Sequence, residues 1–208
     1  LCTIEDGVAA GGAGSGVLEM LSDLGVQVPV LVMGIEDRFI PQGTIDELMR
    51  ENHLDSQSVM NRINEALLIE SFVDLKPYNT MAVSAKARYF VRVRNERDLK
   101  FALDFASREH VEPFILGEGS NLLITSEFVN RLAIHMEMKG FEVNEKARTV
   151  RIGAGENWHL TVKRILDIGW AGPENLAMIP GTMGAAVVQN IGAYGAEVAQ
   201  FVQSVEVY

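Results

Sequence analysis

A single cysteine, Cys2, stands in 208 residues, so no disulfide can close within the chain and no thiolate metal site can form. A reducing cytoplasm is the compartment this suits. Long hydrophobic runs are missing too: Gly, Pro or a charge interrupts every apolar stretch well short of 18 residues, and no membrane span is expected. No basic, apolar, then small-residue leader opens the chain, so no secretion signal is expected. Positive charge is scarce, with 18 Lys and Arg against 28 Asp and Glu for a net charge of -10. That balance argues against nucleic acid as a partner. What is present is 48% apolar and 22% charged, the composition of a globular chain with a core, long enough for one or two domains.

The acidity is unevenly spread. Residues 1–70 hold 12 acidic and 3 basic side chains, residues 71–208 hold 16 and 15. Two units of different origin are expected, 1–70 and 71–208, joined near Glu70–Lys76. In the first, Leu1–Ile4 reads as the end of a strand running into Glu5-Asp6. With no initiator Met, the expectation is a start inside an older domain. Gly11–Gly16, GGAGSG, opens a helix with Val17, Leu18, Leu21 and Leu24 on its apolar face, ended by Gly25. Val28–Met33 is an apolar run of strand length, suited to a buried parallel strand. Thr44 with Glu47 spells a capping box, and Asp55 caps a further helix carrying Val59, Ile63 and Leu67. The order strand–helix–strand–helix–helix predicts a small α/β layer. The GGAGSG turn could serve a dinucleotide, but its spacing is not G-x-G-x-x-G.

The second unit is organised around two glycine clusters about 60 residues apart. In Gly117–Leu123, GEGSNLL, successive N–H groups of a glycine-bearing turn can form a concave anion seat, with Ser120 and Asn121 adding donors. A plain β-turn is the alternative. In Ile179–Tyr194, IPGTMGAAVVQNIGAY, Gly181, Gly184 and Gly192 allow close backbone approach. Ala185 and Ala186 keep the surface low, while Gln189 and Asn190 supply amides. Small residues for access and a few amides for orientation suit a flat, charged cofactor. Around these clusters, Asn95 caps a helix through about His110 with Leu99, Ala102, Leu103 and Ala106 buried. Pro113–Leu116 is a short strand leading into Gly117. Leu132–Met136, Gly140–Asn144 and Thr149–Ile152 read as strands, and Trp158–Ile168 as a helix. His159 is a possible acid or base, though packing or capping at that helix start suits it better. Trp158 suits the core better than a cofactor stack, and Glu156 lies where a helix N-terminus favours a carboxylate.

TIEDGVAAGGAGSGVLEML, VPVLVMGIEDRFIPQG and TIDELMRENHLDSQSV together resemble the C-terminal domain of 1-deoxy-D-xylulose-5-phosphate synthase, a transketolase relative, over residues 1–68. Gln42 departs from it where His is frequent. The resemblance implies an architectural domain, with possible oligomerisation through 1–70 and an assembly role in isoprenoid precursor synthesis. Thiamine diphosphate, held by other domains of such enzymes, is not expected to bind this chain.

LKPYNT, LGEGSNLL, GAGENWH, PENLAMIPGTMGAAVVQNIGAYG and SVEV resemble, in order and spacing, the FAD-binding domain of UDP-N-acetylenolpyruvoylglucosamine reductases of peptidoglycan synthesis, over about 75–208. Met81-Ala82 and Val187 depart mildly, where Phe-Gly and Pro are common. The fold class implied for the whole chain is α/β plus α+β. The resemblance implies FAD as cofactor, NADPH as co-substrate and a nucleotide-sugar substrate. It places Gly117, Glu118, Gly119, Ser120, Asn121 and Leu122 at the pyrophosphate. Ile179, Pro180, Gly181, Gly184, Ala185, Gln189, Asn190, Gly192 and Ala193 would lie along pyrophosphate and flavin, with Tyr194 near the substrate. The serine acid of such enzymes, and the glutamate and arginine assisting it, fall beyond Val205–Tyr208, which reads as a strand cut short. No catalytic residue and no metal ligand is therefore expected in this chain. Three readings stay open: a truncated reductase, an assembly module of a synthase with a flavin-binding part appended, or a fragment with neither activity.

Overall fold

Parallel pairing of β1 (Cys2–Val8) with β2 (Leu31–Ile35) organises the first part of the chain, with α1 (Ala13–Asp23) as the connection between them. The computed structural model describes all 208 residues and divides them into two units, Leu1–Ile69 and Glu70–Tyr208. β2 begins three residues later than the apolar run suggests, because Pro29 has no N–H for a ladder; the first ladder bond runs from Leu31 N–H to Leu1 O. Of the apolar positions expected on the inner face of α1, Val17 and Leu21 are half-buried. Gly14 is its buried residue, and a Cβ there would lie 2.7 Å from Thr3 Oγ1. The helix therefore approaches the strands at this glycine, which leaves Leu18 and Leu24 exposed. α2 (Ile45–Glu51) carries the full capping box of Thr44 and Glu47. α3 (Ser56–Leu68) is capped by Asp55, which accepts from the N–H groups of Gln57 and Ser58. Val59 and Ile63 of α3 are half-buried, while Leu67 is exposed.

The GGAGSG turn is closed as an anion site. Glu5 accepts from Ala13 N–H at 2.8 Å and Gly14 N–H at 3.1 Å, so the protein's own carboxylate occupies the positive end of α1.

The second unit is built on a four-stranded sheet in the order β3-β4-β6-β5. β4 (Lys86–Val93), β5 (Pro113–Leu116) and β6 (Phe128–Met136) run parallel, and α4 (Glu96–Arg108) makes the crossover from β4 to β5 that such pairing requires. Residues 69–74, where the sequence suggests a junction, form the edge strand β3 (Ile69–Asp74). Asn95 caps α4, and its buried side chains are Leu99, Ala102, Phe105 and Ala106. Phe105 is buried in addition and meets Tyr89 edge-on at 5.1 Å, while Leu103 is half-buried. On the other face, Leu75, Ala87, Phe90, Leu116 and Ala133 form one core.

Beyond the sheet, β7 (Phe141–Asn144) and β8 (Thr149–Ile152) make an antiparallel hairpin. A second core gathers Trp158, Val162, Leu176, Ala186 and Val198, drawn from α5 (Trp158–Asp167), α6 (Met183–Val188) and the turns around them. β9 (Gly192–Ala193) and β10 (Ala196–Glu197) close a small hairpin against it.

Asp74 pins the turn that leaves β3. It accepts from Lys76 N–H at 3.0 Å and Ser84 Oγ at 3.1 Å. The Lys76 N–H, first of these, holds the carboxyl below the ordinary aspartate range. A folded-state value below the unfolded one stabilises fully at neutral pH and fades as pH falls through the folded value. Asp74→Asn should therefore be less stable than wild type at neutral pH, and the gap should close on acidification. Denaturation midpoints measured across the acid range check this; a gap of constant size would rule it out.

Candidate flavin site

The two glycine clusters hang from different cores of the same unit and meet. Gly117 follows directly on β5, and a Cβ there would lie 2.8 Å from Thr182 Oγ1 and 3.6 Å from Ala185 Cβ. Glu118 reaches across to accept from Gly181 N–H at 3.2 Å and from Asn157 Nδ2 at 2.7 Å. Ser120 Oγ donates to Pro180 O at 3.4 Å, and Asn121 Nδ2 to Gln189 Oε1 at 3.1 Å. Residues 60 to 68 positions apart in sequence therefore line one place.

The first loop is held from beneath by the LKPYNT segment. Asn79 is buried; its amide donates to Leu75 O and Val83 O and accepts from Val83 N–H. That fixes the 75–83 turn, whose Thr80 N–H donates to Gly119 O at 3.3 Å. Gly119 is buried at φ +65°, with its open side filled by Tyr78 and Asn79 backbone. Only glycine fits both the conformation and the space. The N–H groups of Glu118, Gly119, Ser120 and Asn121 donate to no protein acceptor. Four free donors in a row, around a left-handed glycine, are the kind of donor set a pyrophosphate would need. Leu122 points back and packs half-buried on the first core.

The second loop rises from the second core. Ile179 and Ala193 pack against that core. Met178 adopts φ +66°, and its N–H donates to His159 Nδ1 at 3.2 Å, so this histidine secures the turn at Met178. Gly181 is buried at φ +121°, with Ser120 Oγ 3.2 Å from where a Cβ would sit. Gly184 faces Ala154 at 3.1 Å. Pro180 and Gln189 are exposed. Asn190 spends its amide within the protein, donating to Glu197 Oε2 and accepting from Ala199 N–H. Gly192 pairs with Glu197 across the β9–β10 hairpin, and Tyr194, at φ +52°, stands at its tip fully in solvent. Trp158 is 3% exposed, with Nε1 donating to Leu176 O at 2.7 Å, a core residue rather than a stacking platform.

Sequence reasoning missed Asn79, Asn157 and Thr182. Asn157 was legible as the N-cap of α5, accepting from Leu160 N–H, but its second bond to Glu118 was not. No group of three or more His, Cys, Asp or Glu side chains is placed to hold a metal ion, and no helix is long and apolar enough to cross a membrane.

This part of the chain is similar to known proteins. The FAD binding domain family matches residues 87–208. UDP-N-acetylenolpyruvoylglucosamine reductase of Pseudomonas syringae pv. syringae is 40% identical over 136 residues, covering 64% of this chain and 40% of that protein. The reductase of the same name from Salmonella typhimurium is 44% identical over 137 residues, again 64% of this chain and 40% of the relative. The crystal structure of the Thermus caldophilus enzyme (MurB) superposes with a TM-score of 0.50 at 30% identity, over 61% of this chain and 44% of that one. The chain thus spans about 40% of the length of the curated relatives it matches. The family match spans more than half of the chain, which therefore belongs to the FAD binding domain family.

Proposed function

We propose that residues 71–208 are the flavin-holding part of a reductase that converts UDP-N-acetylglucosamine enolpyruvate to UDP-N-acetylmuramate with NADPH, in the cytoplasm. The run of four unpaired N–H groups from Glu118 to Asn121, in a loop that Glu118 joins to the Gly181 loop, carries this reading. FAD, when bound, would accept hydride from NADPH and pass it to the alkene. The chain's own residues would seat the pyrophosphate through backbone donors, keep Gly117, Gly181, Gly184 and Ala185 low beneath the cofactor, and offer the exposed Gln189 amide and Tyr194 to what lies above. No basic side chain takes part in these loop contacts, so the backbone N–H groups are the anion donors this loop itself offers.

Proton donation is a separate requirement, commonly worth about 10²–10⁴ in rate. Glu118 is turned to Asn157 and Gly181, Glu156 accepts from Gly140 N–H, and His159 Nδ1 holds Met178. The acid is therefore assigned to residues of the reductase outside this chain. The purified chain should quench flavin fluorescence on titration with FAD. It should not consume NADPH in response to the enolpyruvyl nucleotide until the remaining reductase segment is supplied. Absence of FAD binding would overturn the flavin reading, and turnover by the chain alone would overturn the assignment of the acid.

For residues 1–70 the transketolase C-terminal-like reading is retained as a proposal. The parallel β1–β2 pair with its crossover helix supports it. Met33 is the one fully buried apolar side chain among these residues, while Phe39, Ile45, Leu24 and Leu67 are exposed. A unit with so little core of its own suits an assembly role, in which further protein covers those side chains.

A further inference from the structure

We infer that Glu118 is a positioning residue: it clamps the two cofactor loops together and turns its own charge away from the pyrophosphate seat. The inference rests on the flavin reading above for its consequence, but not for its geometry. Both partners of the carboxylate are obligate donors. Gly181 offers a backbone N–H. Asn157 offers Nδ2, because its Oδ1 is committed to Leu160 N–H as the cap of α5. The two donors meet different oxygens of the carboxylate, Asn157 at Oε1 and Gly181 at Oε2, so a glutamine in the same pose turns its NH2 toward one of them and loses that bond.

The consequence is geometric and electrostatic together. Glu118 is the only acidic side chain in the Gly117–Leu123 loop, and an anion beside a diphosphate is unfavourable. Holding the carboxylate on Asn157 and Gly181 removes it from the free N–H groups. It also fixes the register of Gly181 against Ser120, whose Oγ meets Pro180 O. Sequence alone counts Glu118 among the cofactor contacts; its two hydrogen bonds point instead to a brace between loops.

The test exploits the donor direction. In Glu118→Gln, one bond is lost, and FAD affinity should fall about five- to tenfold, the range for one partly exposed hydrogen bond. Asn157→Asp sets two carboxylates face to face and should weaken binding similarly. The double variant Glu118→Gln/Asn157→Asp reverses the bond: the introduced glutamine amide donates to the introduced carboxylate, its oxygen still accepts from Gly181, and aspartate remains a good N-cap. Net charge is unchanged. The double variant should recover FAD affinity to within about twofold of wild type. A carboxylate acting on the cofactor directly would not be rescued by a change at 157, so failure of rescue overturns the clamp, as does an unweakened Glu118→Gln.

Hydrogen exchange of the Gly181 amide in cofactor-free protein reads the clamp independently. Protection should drop in Glu118→Gln and return in the double variant. If wild type binds no FAD while exchange follows this pattern, the flavin reading fails and the clamp stands; unchanged exchange in all three overturns the clamp.

Discussion

Gly119→Val is expected to abolish FAD binding and to unfold much of the second unit at temperatures where wild type is intact. The residue sits at φ +65°, and a Cβ would lie 2.7 Å from Asn79 Cα and closer still to Tyr78 O. Left-handed backbone costs a non-glycine residue roughly 1–2 kcal/mol, and β-branching adds to it. The overlap with backbone cannot be relieved by a rotamer change. Asn79 is held by three hydrogen bonds to Leu75 and Val83, so the 75–83 turn cannot retreat without breaking them. On the order of 4 kcal/mol is expected, among the largest single-residue effects and a sizeable share of a domain's total stability. The clash is with the protein's own LKPYNT turn, so the defect should appear without any cofactor. Gly169→Ala is the control: φ is +79° but no atom lies within 4 Å of the added Cβ. It should cost about 1 kcal/mol and leave FAD affinity unchanged. Urea denaturation and flavin titration of both variants decide the matter. A Gly119→Val protein as stable as Gly169→Ala would show the loop is not seated on residues 78–79.

Gly119 was legible as part of a glycine-bearing turn, but not the Tyr78 and Asn79 backbone beside it. Hydrogen bonds that close within three or four residues were legible: the Thr44–Glu47 box, the Asp55 and Asn95 caps, and the Gly25 stop all form as the sequence predicts. So was the Pro113–Leu116 strand that delivers the chain into Gly117. Choices that depend on what packs opposite were not. α1 faces inward through Gly14 because only a glycine lets it approach Thr3 and Val32, and no periodicity of Leu18 or Leu24 reveals that. α4 buries Phe105 more deeply than Leu103, and Phe105 meets the Tyr89 ring. The polar contacts of the site are the extreme case. Glu118 and Gly181 lie 63 residues apart, and Asn190, which the motif suggests for the cofactor, is spent on Glu197 and Ala199. The small residues of a cradle can be recognised from sequence; which amides remain free within it is settled by tertiary contacts.

Trp158→Ala is the second large effect, and it separates support of the site from contact with the cofactor. The indole is 3% exposed and joins Val162, Leu176, Ala186 and Val198 in the second core. Emptying that volume should cost about 3–5 kcal/mol. Ile179, Met183 and Ala193 rest on the same cluster, so the second loop loses its footing and FAD affinity falls with folding. Trp158→Phe is the sharper variant. It keeps most of the apolar surface but removes Nε1, which donates to the carbonyl of fully buried Leu176 at 2.7 Å. A buried carbonyl left without its donor costs about 1–3 kcal/mol. Stability should therefore drop while FAD affinity, measured well below the melting temperature, stays within a few-fold of wild type. A side chain stacked on the flavin would give the opposite pair of results, with stability kept and affinity lost. If Trp158→Phe melts like wild type yet binds FAD more than about tenfold more weakly, Trp158 touches the cofactor and the second core does not set the height of the IPG turn.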